Sequence, residues 1–210
     1  ENIKKLNLLS RSDLQDKINF KFNLKNIMIT FHPVTLENNT SKNQFQEILN
    51  AVNELKNTNI IFTKANSDLN GKVINQMIDE YVYENPKKSV SYVSLGQEKY
   101  LSVLQYIDVI VGNSSSGLLE APSFKIATIN IGDRQKGRIC SKSVINCLPI
   151  KKNIKKSLDI VYSPKFQKLL KTVENPYDNG ITSKKIARVL KNFNLENILK
   201  KQFNDIDLKL

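Results

Sequence analysis

The residues best suited to chemistry lie in the stretch 112–138. A short apolar run at 107–111 is typical of a buried parallel strand, and a small polar turn with Ser114, Ser115 and Ser116 follows it. A helix is predicted to begin directly after this turn. The free backbone N–H groups and positive dipole end of a helix bind anions, and the serine hydroxyls add donors. The pattern predicts a phosphate site, although an ordinary strand-to-helix turn with solvated serines has the same residues.

Charged residues extend this predicted anion site. Glu120 falls in the first or second turn of the predicted helix, where its carboxylate can accept hydrogen bonds from sugar hydroxyls. The alternative is a carboxylate that only favours the helix dipole. Arg134 and Arg138 follow the next apolar run, 126–131, and their forked donors can neutralise a diphosphate. The residues together favour a phosphorylated, ribose-bearing ligand.

Apolar runs that alternate with helical patterns must position these residues. The runs that predict strands are 26–31, 59–63, 89–94, 109–111, 127–131 and 144–148. The patterns that predict helices are 13–18, 41–57, 70–83, 97–106, 117–123, 152–161, 164–172, 182–193 and 195–203. Ser41 is the predicted N-cap of the second helix. This alternation predicts an α/β fold, a Rossmann-like parallel sheet with helices on both faces.

Polar residues follow three of the predicted strands at the point where each strand ends. They are His32, Asn66 with Asp68, and the serine turn that begins at Ser114. Ligands of parallel sheets bind at the carboxyl ends of the strands, so these segments should line one crevice. His32 could donate to a phosphate or bond only to backbone. Asp68 could contact a sugar or cap the helix that follows it.

The composition narrows the function classes. The 210 residues carry a net charge of +12, which suits an anionic ligand, nucleic acid or a membrane surface. The lysines are scattered, and no stripe interleaves arginine with aromatic residues, so the sequence disfavours binding to nucleic acid as the main role. No apolar run approaches the roughly 18 residues of a membrane span. The start lacks a signal peptide and a methionine, so we expect a piece of a longer cytoplasmic protein.

Neither a metal nor a redox cofactor is predicted. One histidine and two cysteines, Cys140 and Cys147, make a zinc site unexpected, and the thiols should stay reduced. The glycine-lysine loop of nucleotide triphosphatases and the glycine fingerprint of NAD-binding domains are missing from the sequence.

The polar segments together resemble one protein family. Its motifs here are Phe-His-Pro-Val-Thr-Leu at 31–36, Asn-Ser-Asp at 66–68, Gly-Asn-Ser-Ser-Ser-Gly at 112–117 and Ile-Asn-Ile-Gly-Asp-Arg-Gln-Lys-Gly-Arg at 129–138. With Glu120 and their spacing, they make 25–192 resemble the C-terminal half of hydrolysing UDP-N-acetylglucosamine 2-epimerases. That family includes the bacterial enzymes that feed sialic and legionaminic acid synthesis.

The resemblance implies the C-terminal half of a two-domain GT-B-type fold. Residues 1–24 would be a linker, 25–192 the UDP-binding domain, and 193–210 a C-terminal helix that packs on the missing N-terminal domain. The implied enzyme eliminates UDP from UDP-N-acetylglucosamine, or from its 2,4-diacetamido-trideoxy relative, and releases the free sugar with C2 inverted. The missing domain would carry catalytic carboxylates, so this chain alone should be inactive, and the full-length protein is expected to be a homo-oligomer.

The same resemblance implies roles for individual residues. The implied substrate-binding residues are His32, Asn66, Asp68, Ser114, Ser115, Ser116, Glu120 and Arg134. His32 would also be catalytic by stabilising the departing diphosphate, and 93–96 could present backbone groups to uracil. A donor-binding domain of a UDP-sugar glycosyltransferase is the alternative, and it would share Glu120.

Overall fold

The sheet of this protein has six parallel strands in the order β3-β2-β1-β4-β5-β6. The computed structural model describes residues 2–34, 40–66, 69–196 and 198–200. The strands are β1 (Lys25–Thr30), β2 (Thr58–Thr63), β3 (Ser89–Tyr92), β4 (Val109–Gly112), β5 (Ala127–Ile131) and β6 (Val144–Cys147). The predicted α/β class and parallel sheet are therefore confirmed, and the strand order reverses between β1 and β4.

Helices cover both faces of the sheet, as predicted. The helices of the compact unit that holds the sheet are α1 (Asn2–Lys5), α2 (Arg11–Ile18), α3 (Ser41–Val52), α4 (Leu69–Glu84), α5 (Gly96–Leu104), α6 (Ser116–Leu119), α7 (Lys151–Val161) and α8 (Pro164–Leu170). A further helix, α9 (Thr182–Asn192), belongs to a separate compact unit. Successive residues of β1 point to opposite faces. Ile27 packs in one core with Phe45 of α3, while Met28 packs in the other with Leu14 of α2 and Leu104 of α5.

The segment predicted as a linker contributes to the core. Leu14, Ile18, Phe20 and Phe22 are all buried in the cluster on the α5 face of the sheet. Ser10 caps α2 by accepting a hydrogen bond from the Asp13 N–H at 3.2 Å. The compact unit that holds the sheet consequently runs from 2 to 178.

A second unit includes the described residues 179–196 and 198–200, and it contains α9. The apolar residues Ile186, Val189 and Leu190 of α9 are exposed. The helix predicted over 195–203 is not formed at 195, 196 or 198–200, which are turn or irregular, and the rest of that prediction lies outside the described residues.

Two predicted helices end earlier than their apolar patterns. The helix predicted over 41–57 stops at Val52, and the chain turns back through Asn57, which has a left-handed φ of 52°. Thr40 rather than Ser41 occupies its N-cap position. The helix predicted over 117–123 is a single turn, α6, followed by a 3₁₀ turn at Ala121–Phe124. Pro122 lacks an N–H and cannot continue an α-helix.

Gly112 lets β1 and β4 approach closely where the strand order reverses. Its φ is 139°, and a Cβ at this position would lie 1.9 Å from the carbonyl oxygen of Thr30. That oxygen accepts a hydrogen bond from the Asn113 N–H at 3.1 Å, so it cannot move away without losing the contact. The end of β4 therefore requires glycine.

Two amide side chains hold the segments that follow β1 and β2. The Oδ1 of Asn113 accepts from the His32 N–H and its Nδ2 donates to the His32 carbonyl, both at 2.7 Å. Asn75 of α4 makes the same pair of bonds to Ala65, at 2.8 and 3.1 Å. His32 and Ala65 each lie two residues beyond a strand end. A side-chain amide offers one acceptor and up to two donors, so it can make the two backbone hydrogen bonds that a neighbouring strand would otherwise make.

We expect Gly112→Ala to destabilise the fold by about 3 kcal/mol or more, because the methyl group overlaps the Thr30 carbonyl and the backbone is strained. Gly137→Ala is the matched control. Its φ of 82° is also positive, but nothing lies within 4 Å of the added Cβ, so about 1–2 kcal/mol should be lost. Urea denaturation measures both. Equal losses would show that the close approach at Gly112 contributes nothing.

We expect Asn113→Ala to cost about 3 kcal/mol, because it leaves two backbone groups of His32 without partners at a site where Asn113 is only 1% exposed. Asn75→Ala removes the same two bonds from Ala65 at a less buried position, and about 1 kcal/mol is expected. Free energies of unfolding from urea titrations test the pair. A larger loss for Asn75→Ala would contradict the assignment.

Candidate functional site

A cavity of about 510 Å³ opens at the carboxyl edge of the sheet, beside the point where the strand order reverses. Four chain regions line it: the end of β1, the end of β2, the segment 93–101 that runs into α5, and the turn after β4. The lining residues are Thr30, Thr63, Val93, Ser94, Leu95, Gly96, Gln97, Tyr100, Leu101, Ser114, Ser116 and Glu120. Hydroxyl groups and one carboxylate therefore supply much of its polar surface.

The turn after β4 contributes side chains more than a helix dipole. The helix α6 spans only Ser116–Leu119, so few peptide dipoles are aligned behind the predicted anion site. Ser115 occupies its N-cap position with α-region backbone angles. The Ser114 Oγ accepts a long hydrogen bond, 3.4 Å, from the Ser116 N–H. This turn therefore offers polar side chains with little support from an aligned helix dipole.

Glu120 is held by a chain of hydroxyl groups. The Ser116 Oγ donates to the Glu120 Oε2 at 2.5 Å, and the Tyr100 hydroxyl contacts the same Ser116 Oγ. Burial raises the pKa of Tyr100 well above its usual range, and the negative charge of Glu120 raises it further. The phenol therefore keeps its proton at neutral pH. Tyr100 projects from α5, so this contact joins two separate elements.

Asn113 joins His32 and Arg134 to the same turn. Its side chain pairs with the backbone of His32, and its carbonyl oxygen accepts from Arg134 Nη1 at 2.9 Å and from Gln135 Nε2 at 2.7 Å. Arg134 is exposed, whereas Gln135 is buried. Within the described residues, the lining of the cavity includes neither His32 nor Arg134. Both are hydrogen-bonded to Asn113, the residue directly before the cavity-lining Ser114.

The remaining predicted residues are placed as follows. Asn66 is exposed beyond the end of β2, and Asp68 lies outside the described residues. Ser115 is half-buried next to the cavity, whose described lining does not include it. The structure thus brings Ser114, Ser116 and Glu120 into one cavity.

Sequence reasoning missed several residues of this site. Thr30 and Thr63 end β1 and β2, and their hydroxyls hydrogen-bond to each other at the cavity wall. Polar residues at the last position of a buried strand could have identified them. Asn113 was part of the motif but had no assigned role, although an amide directly after a strand-ending glycine is a signal for backbone capping.

The described residues offer no group of three or more histidine, cysteine, aspartate or glutamate side chains that could hold a metal ion. In the same described part of the chain, no helix is long and apolar enough to cross a bilayer. Another cavity, of about 720 Å³, lies between α8 and the segment 140–142, and the described residues that line it include none of the predicted site residues.

Comparison with known proteins identifies relatives along most of the chain. The family model described as UDP-N-acetylglucosamine 2-epimerase matches residues 2–191. A Campylobacter jejuni protein named GDP/UDP-N,N'-diacetylbacillosamine 2-epimerase (hydrolyzing) is 39% identical over 97% of this chain and 53% of its own length. Polysialic acid biosynthesis protein P7 of Escherichia coli is 35% identical, over 92% and 49% respectively. The chain spans about half the length of the curated relatives it matches.

Solved structures show the same fold at low identity. A structure of S. aureus MnaA with UDP has a TM-score of 0.65 at 16% identity, over 94% of this chain and 52% of that one. The Neisseria meningitidis UDP-GlcNAc 2-epimerase bound to UDP-GlcNAc has a TM-score of 0.61 at 18% identity, over 86% and 48%. The fold is thus one half of the two-domain GT-B type. Because the family model matches residues 2–191, which is most of the chain, this protein belongs to the UDP-N-acetylglucosamine 2-epimerase family.

Proposed function

We propose that this chain is the nucleotide-binding half of a hydrolysing UDP-sugar 2-epimerase. The observation that carries the proposal is the cavity at the carboxyl edge, where Ser114, Ser116 and Glu120 lie together beside Thr30 and Thr63. The Ser114 hydroxyl suits a phosphate, and the Glu120 carboxylate suits a ribose diol. Relatives that are 39% and 29% identical carry names of hydrolysing 2-epimerases, which supports the reaction type.

The proposed reaction has two stages. In the first, the C2 proton is lost to a base and the anomeric C–O bond breaks, with its electron pair leaving on the diphosphate oxygen of UDP. In the second, water adds across the resulting C1–C2 double bond. The hydroxyl goes to C1 and a solvent proton goes to C2 on the opposite face, which inverts that centre. We assign the proton-transferring carboxylates to the half that the relatives have in addition.

This half stabilises the charge that develops on the diphosphate. The Ser114 Oγ already accepts from the Ser116 N–H, and its own hydrogen is directed to a phosphate oxygen. Arg134 uses one guanidinium N–H on the Asn113 carbonyl and directs its other donors to the diphosphate or sugar. His32 adds an imidazole donor, and its backbone is held by the two hydrogen bonds from the Asn113 side chain. Donors fixed before the reaction are worth about 3 kcal/mol each in such sites.

The proposal also covers the identity of the sugar and of the nucleotide base. We favour a UDP-linked 2-acetamido or 2,4-diacetamido sugar, with Asn66 and Asp68 on the sugar, Ser115 on the phosphate and 93–96 beside the base. One relative's name includes both GDP and UDP, so a purine nucleotide is the natural comparison ligand. We place the protein in the cytoplasm, because Cys140 and Cys147 are free thiols and such thiols persist in reducing compartments. That the full-length protein is a homo-oligomer rests on the family resemblance alone.

Binding of UDP to the isolated chain tests the proposal first. Calorimetry at up to millimolar nucleotide should give saturable binding in the high micromolar range or weaker, since half of the cleft is missing. Ser114→Ala should weaken UDP binding about 10-fold, which corresponds to one charge-assisted hydrogen bond of about 1.4 kcal/mol. Ser12→Ala, an exposed serine of α2, is the control and should bind as the unaltered chain does.

A folded sample that gives no heat with UDP or GDP at millimolar concentration would remove the proposal. DNA binding that falls steeply with salt, in place of nucleotide binding, would instead support a nucleic-acid-binding module.

Product analysis of the full-length protein in D₂O tests the reaction. Incubation with UDP-N-acetylglucosamine, or with its 2,4-diacetamido relative, should release UDP and a free C2-inverted sugar. That sugar should carry deuterium at C2, because the second stage takes its proton from solvent. Release of a sugar with the original configuration at C2, or transfer to an added acceptor, would indicate a glycosyltransferase-type protein.

A further inference from the structure

The hydrogen of the Ser116 hydroxyl has only one direction in which it can point. A hydroxyl has one hydrogen to donate and two lone pairs to accept with, whereas a carboxylate only accepts. The 2.5 Å contact between Ser116 Oγ and Glu120 Oε2 therefore uses the serine hydrogen. The contact between Tyr100 and Ser116 must then run from the phenol to the serine oxygen. Tyr100 keeps the proton that this requires, because burial disfavours its charged form.

This assignment removes Ser116 from the set of phosphate donors. Its single hydrogen is committed to Glu120, so a phosphate could receive it only if that bond broke. Ser114 is different, because its Oγ accepts from a backbone N–H and its hydrogen is not required by a carboxylate. The two neighbouring serines therefore have separate tasks.

We propose that Tyr100 and Ser116 are positioning residues that hold the Glu120 carboxylate for the ribose diol of the nucleotide, an inference that rests on the proposed function. Glu120 Oε2 receives the serine hydrogen, and Oε1 with the remaining lone pairs is left to accept from the 2′ and 3′ hydroxyls. The series of hydrogen bonds from Tyr100 through Ser116 then ends on the Glu120 carboxylate. A series in which each donor also accepts strengthens its members.

The local backbone explains why Glu120 needs such support. It is the C-cap of the one-turn helix α6, with φ −112° and ψ −47°, directly before the 3₁₀ turn. A glutamate in that place has several rotamers of similar energy, and fixing one costs conformational entropy. Ser116 is four residues earlier, on the same side of the turn. Tyr100 belongs to the longer helix α5, which the buried Leu101 and Leu104 fix in the core. Because the tyrosine ring is rigid, its hydroxyl is held in place with the helix.

The preference for ribose over deoxyribose is the readout that a merely structural role would not change. NMR titration of the chain with UDP and with 2′-deoxy-UDP should show about 10-fold tighter binding of UDP, because Glu120 loses one partner in the deoxy ligand. Tyr100→Phe and Ser116→Ala should bring this ratio to about 3 or below. They do so by weakening UDP binding more than 2′-deoxy-UDP binding. Ser116→Thr keeps the hydroxyl and should retain the ratio.

Two further variants complete the design. Tyr106→Phe is the matched control, because the Tyr106 hydroxyl donates to the Leu9 carbonyl at 3.1 Å, and the cavity's described lining does not include it. Its ratio should equal that of the unaltered chain. Ser114→Ala should weaken both nucleotides by the same factor, since it acts on the phosphate. Circular dichroism and thermal melting confirm that each variant is folded before its titration.

The outcomes separate the inference from the proposed function. Equal weakening of both nucleotides by Tyr100→Phe and Ser116→Ala would overturn the positioning role while leaving nucleotide binding in place. An unaltered chain that binds the two nucleotides equally would also overturn it, because Glu120 would then not contact the 2′ hydroxyl. Failure of the folded, unaltered chain to bind either nucleotide would instead refute the proposed function itself.

Discussion

The arrangement of the carboxyl edge depends on Asn113. Its side chain satisfies both backbone groups of His32, and its carbonyl oxygen accepts from Arg134 and Gln135. Asn113 is almost fully buried, where each unpaired polar group would cost about 1–3 kcal/mol. The three segments that meet there cannot move independently without breaking these bonds. Gly112 makes the meeting possible, because only a residue without Cβ fits beside the Thr30 carbonyl.

The short helix after β4 changes how the site can bind an anion. A long helix would present an aligned dipole to the phosphate, but α6 is one turn, and Pro122 prevents its continuation. In the proposed account the Ser114 hydroxyl, His32 and Arg134 bind the phosphate, and the positioned Glu120 carboxylate binds the ribose. Further hydroxyl groups line the cavity around them. The hydroxyls lie in part on other elements, at the ends of β1 and β2 and on α5, so the site depends on the packing of the whole sheet edge.

The sequence was most informative where burial dictates residue type. β2, β4 and β5 are buried on both faces, so each is an apolar run whose limits agree with the prediction within about one residue. The contact of Tyr100 with Ser116 could not be predicted, because the two residues belong to different elements and meet only in the packed fold. The core role of α2 was missed for a similar reason, since its short apolar pattern is interrupted by charges.

The structure of this chain with UDP would test the central claim most directly. The account predicts density for the nucleotide in the cavity at the carboxyl edge, with the diphosphate beside Ser114 and the ribose hydroxyls within hydrogen-bond distance of Glu120. Nucleotide bound elsewhere, such as in the cavity between α8 and the segment 140–142, with the carboxyl-edge cavity holding only water, would contradict it.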